Sequence, residues 1–294
     1  MSYKLILGDN IEEMKKLPDQ SIDSIVTDPP YATLIRDYGV WTECDWHEMM
    51  AKVIEQIRRV LKPTGSAMFV LQANQSTIGT MRPWLWEFLA KYTKEWNMVQ
   101  DCYWWNYAYM PTTHVSRKHR LMRPSLKVCA WFGAPECYRN QDAILWKPSE
   151  ANKAHNLQDR ALKKYPSGSS MREGRCIETM NARGGSTPFN VVPLSEQESI
   201  DNVMMCTGGK RAGSKHGATT PLQLCEYWVN YITPKGGTVL DPFSGTATVG
   251  LAAVKHGFNY VGIERYQDYH DEAEKVLADI SHKMESIYDS PNKS

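Results

Sequence analysis

Residues 238–264 read TVLDPFSGTATVGLAAVKHGFNYVGIE. The apolar run Thr238–Leu240 predicts a strand, and Asp241-Pro-Phe-Ser-Gly245 predicts the turn that ends it. A helix follows through Lys255, and a second strand, Asn259–Ile263, ends at Glu264. Strand, turn, helix and strand in that order make a β-α-β unit, the building block of a parallel sheet. Gly245 lets backbone approach a ligand, and the helix behind it offers N-terminal N–H groups to an anionic end. An acid roughly 20 residues after such a turn, at a strand tip, suits the paired hydroxyls of a ribose. The pattern is not a hydride-transfer fingerprint, since G-x-G-x-x-G is absent and Phe243 sits in the turn. It is not a P-loop either, because no G-K-[ST] follows the glycine. The two readings left are an adenosine-type cofactor site and a tight structural turn.

The N-terminal region repeats the logic. Lys4–Leu7 predicts a strand ended by Gly8-Asp9-Asn10, Ile11–Leu17 a helix, and Ser21–Thr27 a buried strand. Directly after it stands Asp28-Pro29-Pro30-Tyr31. Two prolines cannot donate to a ladder or continue a helix, so the chain must turn there. The turn presents a carboxylate, backbone carbonyls and an aromatic ring at a strand's C-terminal end, where open α/β sheets bind ligands. Acceptors beside a stacking face suit a planar group held by an exocyclic NH2, such as a flipped nucleobase.

Met50, Val53, Ile54, Ile57, Val60 and Leu61 recur at helical spacing, and Lys62-Pro-Thr-Gly65 is expected to stop that helix. Ala67–Leu71 predicts a strand, 78–105 another α-β pair, and Leu126–Phe132 one more strand. From 134 to 215 periodicity fades and Gly, Ser, Asn, Lys and Arg dominate, which predicts a loop-rich inserted module. Order resumes where Thr219 or Thr220 can cap a helix with Pro221 in its first turn and Leu222, Cys225, Trp228, Val229 and Ile232 on one face. Tyr269–Ile280 predicts a closing helix. Its acids (Asp268, Asp271, Glu272, Glu274 and Asp279) are expected to face solvent. The fold expected is α/β and doubly wound, with core halves 1–133 and 216–294 around the module 134–215.

The 294 residues carry 34 basic and 33 acidic side chains, so any nucleic-acid surface must be a local patch. Seven cysteines are scattered with no C-x-x-C pair, so neither a zinc site nor a disulfide framework is expected. That pattern fits a reducing cytosol. The N-terminal apolar run is too short for a signal peptide, and no stretch approaches membrane-spanning length. The expectation is a cytoplasmic protein with no membrane partner and no metal.

Taken together, these residues resemble the amino-methyltransferases of DNA, which methylate adenine N6 or cytosine N4 using S-adenosylmethionine. Asp28-Pro29-Pro30-Tyr31 resembles the family's catalytic loop, and Asp241-Pro-Phe-Ser-Gly245 its cofactor loop. Val261-Gly-Ile-Glu264 is similar to its ribose-binding strand end, and Leu5-Ile-Leu-Gly-Asp9 to the element whose acid meets the cofactor's adenine. The order, with the catalytic box first and the cofactor loop last, resembles the β group, a circular permutation of one fold. The resemblance implies a mostly parallel, seven-stranded, Rossmann-like sheet with the catalytic half at 1–133 and the cofactor half at 216–294. It places Asp9, Asp28, Thr220, Asp241, Phe243, Ser244, Gly245, Thr246 and Glu264 around S-adenosylmethionine. Asp in the first position of the box resembles the adenine-N6 members more than the cytosine-N4 members. The group's habits also imply a homodimer. Two positions depart from the pattern: Ala247 stands where a second glycine is usual, and Thr220 where a lysine is usual. Both bear on cofactor affinity.

Double-stranded DNA is the partner implied. Arg117, Lys118, Arg120, Arg123 and Lys127 form a run without an acid, and Lys210, Arg211 and Lys215 form a second cluster; both are candidate phosphate contacts, with solvated faces as the alternative. The aromatics Trp104, Trp105, Tyr107 and Tyr109 read as core rather than base-stacking residues. The module 134–215 is the expected target reader, with Arg172, Arg175 and Arg183 as guanine readers in kind. An enzyme of protein glutamine is disfavoured by the Asp of the box and by the motif order. An RNA substrate and a non-catalytic DNA-binding subunit of the same fold remain as alternatives.

Overall fold

The protein is described by a computed structural model covering residues 2–34, 39–105, 119–122, 124–146, 163–164, 170–171, 182–192 and 220–288. The strands of its main sheet are β1 (Tyr3–Leu7), β2 (Ile22–Thr27), β3 (Leu61–Leu71), β4 (Met98–Trp105), β5 (Leu126–Gly133), β6 (Val191–Val192), β7 (Thr238–Asp241) and β8 (Asn259–Glu264). Among the described residues six α-helices accompany them: α1 (Asn10–Lys15), α2 (Glu43–Val60), α3 (Trp84–Glu95), α4 (Leu222–Ile232), α5 (Thr248–Lys255) and α6 (Gln267–Tyr288). The sheet order is β1-β8-β7-β2-β3-β5-β4-β6. All pairs are parallel except the two made by β5, which runs against β3 and β4.

The sheet has one strand more than the seven expected. The extra strand is the two-residue β6, which lies inside the segment read as an insertion and pairs with β4 at Val191↔Tyr103 and Val192↔Trp104. The start of that segment is also stitched to the core. Tyr138 N–H donates to Thr64 O at 2.8 Å and Asn140 N–H to Tyr231 O at 2.7 Å. Elsewhere elements run longer than the sequence implied. Helix α2 begins at Glu43, because Thr42 caps it by accepting from Asp45 N–H at 3.1 Å. Lys62–Gly65 ends the helix as expected, but as a register shift at the start of β3, between the pairs Ile22↔Leu61 and Ser24↔Ser66.

The chain leaves the β7–β2 seam in opposite directions, to β8 through α5 and to β3 through α2. Right-handed crossovers going opposite ways must put their helices on opposite faces of the sheet. They do: α4, α5 and α6 pack with Val26, Met68, Trp131 and Tyr260, whereas α1, α2 and α3 pack with Ile25, Phe69, Phe132 and Ile263. The seam is therefore a topological switch point, and a crevice opens outside the strand ends there. No described helix is long and apolar enough to cross a membrane.

Tyr260, on β8, couples the α5 face to the strand ends. Its hydroxyl pairs with the Ser244 hydroxyl at 2.8 Å, and its ring fills the space left by Gly250. A Cβ at Gly250 would lie 2.5 Å from the ring. Gly250→Ala is expected to lower stability in urea denaturation. Overpacking of about 1–3 kcal/mol outweighs the roughly 1 kcal/mol that alanine adds to a helix.

Candidate active site

The four neighbouring strands β1, β8, β7 and β2 end on one edge, and an acid stands at or just after each end: Asp9, Glu264, Asp241 and Asp28. All four line one cleft of about 520 Å³, with Pro29, Pro30, Tyr31, Thr220, Phe243, Ser244, Gly245 and Thr246. The structure thus brings every proposed cofactor and catalytic residue to a single crevice.

Each acid is differently engaged. Asp9 caps α1, accepting from Ile11 and Glu12 N–H at 3.1 and 3.3 Å. Glu264 accepts from Gly245 N–H and Tyr266 N–H, both at 2.8 Å. Burial raises its carboxyl above the ordinary range, and those N–H groups pull it back. Asp241 is 3% exposed and accepts from the Thr27 hydroxyl at 2.6 Å and Phe243 N–H at 3.1 Å. Burial pushes its carboxyl up to about 7; the two hydrogen bonds lower it, and Asp28 and Glu264 raise it further. Asp28 accepts from the Thr220 hydroxyl at 2.7 Å.

That last bond corrects one expectation. Thr220 does not cap α4; Pro221 is the cap residue and no side chain caps the helix. The hydroxyl is spent on Asp28 instead. Ser244 has a second contact. It belongs to the cleft wall, but its hydroxyl turns inward to Tyr260, so it shapes the loop from behind. Asn10, which the sequence did not single out, donates from Nδ2 to Pro242 O at 3.2 Å and ties α1 to the same loop.

The Asp28–Tyr31 turn is braced by residues with no local signal in the sequence. Trp46 Nε1 donates to Pro30 O at 2.5 Å. Asn74 donates to Ala32 O at 2.6 Å and accepts from Trp84 Nε1 at 3.0 Å. The Tyr31 and Trp84 rings lie 6.4 Å apart at 28°. Lys127, read as part of a phosphate-contact run, lies in the cleft with its Nζ on the Tyr31 hydroxyl at 3.1 Å. It gets there because β5 is antiparallel, so its first residues sit at the edge where its neighbours end.

The remaining basic candidates lie elsewhere. Arg120 is exposed and not part of the cleft wall. Arg117, Lys118, Arg123, Lys210, Arg211 and Lys215 fall outside the described residues, as do Arg172, Arg175, Tyr107 and Tyr109. Arg183 is described and pairs with Asp142 at 2.5 Å. Trp104 is fully buried, in keeping with its reading as core, whereas Trp105 is partly exposed. Among the described residues no group of three or more His, Cys, Asp or Glu could hold a metal.

A switch-point crevice edged by strand-end carboxylates defines an α/β enzyme of the class that binds nucleotide-type cofactors. A family model described as DNA methylase matches residues 22–275, and the chain belongs to that family. It is a DNA methyltransferase of the N6/N4 group. The chain is 26% identical over 281 residues to the Type II methyltransferase M.PvuII of Proteus hauseri, across 90% of this chain and 80% of that one. It is 23% identical over 268 residues to the DNA adenine methyltransferase YhdJ of Escherichia coli K12, across 90% and 79%. The solved structure of the PvuII DNA methyltransferase (cytosine-N4-specific) shares the fold with a TM-score of 0.65 at 19% identity, across 97% of this chain and 93% of that one.

The raised Asp241 carboxyl has a consequence for stability. In the unfolded chain it ionises near 3.8, and in the fold near 7, so between those values the folded state holds the extra proton. Its contribution to stability is therefore largest in acid and is lost as pH rises from about 4 to about 7, by a few kcal/mol at most. Asp241→Asn keeps an Oδ1 for both hydrogen bonds and removes the titration. The stability of the variant relative to the parent should rise across that window in denaturant melts. Parallel pH profiles would show that Asp241 is ionised in the fold throughout.

Proposed function

We propose that this enzyme transfers a methyl group from S-adenosylmethionine to the N6 amine of an adenine flipped out of double-stranded DNA. The observation that carries the reading is the Asp28 carboxylate, set at the end of β2 beside the Tyr31 ring on a loop braced through Pro30 and Ala32. Asp in that position resembles the adenine-N6 members of the family more than the cytosine-N4 members.

The cleft fits the cofactor by its chemistry. Asp241 is buried with only uncharged partners, and Glu264 sits above its ordinary range. Both sites would welcome positive charge or hydroxyl donors. Glu264 would hold the ribose hydroxyls, Asp9 the adenine edge, and Asp241, Phe243, Gly245, Thr246 and Thr220 the rest. When bound, S-adenosylmethionine supplies a methyl group activated by its sulfonium. M1.HpyAVI, a related fold with a TM-score of 0.54 at 17% identity, has been solved as its complex with that cofactor.

The protein's share of the reaction is positioning and polarisation. An exocyclic amine is a poor nucleophile because its lone pair is delocalised into the ring. Asp28 and the Pro29 carbonyl accept its two N–H bonds, draw the nitrogen towards tetrahedral geometry and free the lone pair. Asp28 can then relay the released proton. Tyr31 stacks on the base, and the Trp46 bond to Pro30 braces the loop that carries it. Arg117, Lys118, Arg120, Arg123, Lys210, Arg211 and Lys215 are proposed to track phosphates, and the segment 134–215 to read the target sequence.

The cytosine-N4 reading is favoured by one observation, the cytosine-N4-specific description of the PvuII structure. Incubation with unmodified DNA and cofactor, followed by digestion and nucleoside mass spectrometry, separates the two. N6-methyladenine is expected, and N4-methylcytosine would move the target base while keeping the mechanism. Asp28→Ala should reduce turnover at least about a hundredfold, as loss of a key polarising group does. Its cofactor affinity by calorimetry should stay within a few-fold. Retained turnover would remove Asp28 from the reaction.

A further inference from the structure

Lys127 has a setting unlike that of a surface lysine. Its Nζ donates to the Tyr31 hydroxyl at 3.1 Å and lies 5.3 Å from the centre of that ring. The same nitrogen is 4.8 Å from the centre of the Trp104 ring, which is fully buried. No carboxylate of a described residue forms an ion pair with it. A half-buried ammonium is thus held by the Tyr31 hydroxyl and between the Tyr31 and Trp104 rings, at the base end of the cleft, with no ion pair to a carboxylate among the described residues. Cation–π attraction and the phenol account for its being held there.

The neighbouring contacts show what this hold adds. The backbone on either side of Tyr31 is fixed at the Pro30 and Ala32 carbonyls. Those bonds place the Cα, and the Trp84 ring packs beside the Tyr31 ring at 6.4 Å and 28°. Lys127 grips the far end, the phenol oxygen. With backbone and ring tip both held, a stacking face is in place before any base arrives.

We propose that Lys127 is a positioning residue that orients the Tyr31 ring for the flipped base by holding its hydroxyl. The proposal rests on the base-stacking role given to Tyr31 above. It also takes Lys127 out of the phosphate-contact run in which the sequence placed it.

A double-mutant cycle tests it, using Tyr31→Phe, Lys127→Met and the pair on a duplex carrying the methylated motif. Each single change should lower kcat/KM roughly tenfold, the scale of one lost charge-assisted hydrogen bond. The double variant should be no worse than either, because both remove the same contact. Lys127→Arg, which keeps a donor and a cation, should recover activity to within about threefold. With 2-aminopurine at the target position, the quenching that stacking on Tyr31 produces should weaken equally in both single variants. The salt dependence of DNA binding should be unchanged in Lys127→Met. Additive losses, or a salt slope shallower by about 1, would overturn the proposal and return Lys127 to phosphate contact. Tyr31→Ala separates the layers. If it is harmless, the stacking reading falls; if it is damaging while the Lys127 loss is additive, only the lysine's role falls.

Discussion

Everything at this site depends on four parallel strands ending side by side with a carboxylate at each tip. The sheet order β1-β8-β7-β2 is what makes them neighbours, since in sequence Asp28 and Asp241 are far apart. Burial then sets their character. Asp241 and Glu264 are drawn out of water and answered by hydroxyl and backbone N–H groups rather than by cations. Each carboxylate also raises the cost of ionising the next, as the effect of Asp28 and Glu264 on Asp241 shows. A row of such groups is electrostatically frustrated when alone and is relieved by a ligand carrying positive charge and hydroxyl donors. Under the proposed function that ligand is the cofactor, and the strand ends supply its affinity.

The second requirement is a rigid loop. Asp28 to Tyr31 leaves the sheet without secondary structure of its own, and its prolines cannot donate hydrogen bonds. Its order comes from side chains of α2, α3 and the β3–α3 connection that supply the donors: Trp46, Trp84 through Asn74, and Asn74 itself. These aromatics also belong to the core. Trp46 and Trp84 are fully buried, with ring centres 4.6 Å apart, so disturbing the loop means disturbing the packing beneath it. Stability and site geometry share the same atoms here.

Most of the sheet was legible in the sequence because buried parallel strands read as short apolar runs, and the β-α-β units at each end are compact. The acids at strand tips were legible for the same reason, as they follow those runs directly. The bracing was not. Trp46 and Asn74 act on residues far along the chain, and nothing in their local sequence separates them from ordinary core and turn residues. Lys127 was visible as a charge but its place was not, because its neighbours in sequence are basic whereas its neighbours in space are aromatic. Only the antiparallel direction of β5 sends it to the cleft. Strand β6 was missed because two residues carry no periodicity.

The two departures from the family pattern are resolved by where their side chains point. Ala247 adopts φ 57 and ψ 44, the left-handed region where glycine is at ease and alanine is strained by about 1–2 kcal/mol. That explains why a glycine is usual there. The methyl group does not enter the cleft; it is fully buried in the core cluster under α5. Burying it returns about 0.8 kcal/mol, which offsets much of the strain and leaves the ligand's space untouched. Thr220 is the more consequential change. A lysine near Asp28 would bring a positive charge, whereas the threonine hydroxyl brings one neutral hydrogen bond. It orients the carboxylate that is proposed to polarise the amine. The same neutrality means that Thr220 itself adds no positive charge to answer the row of four acids.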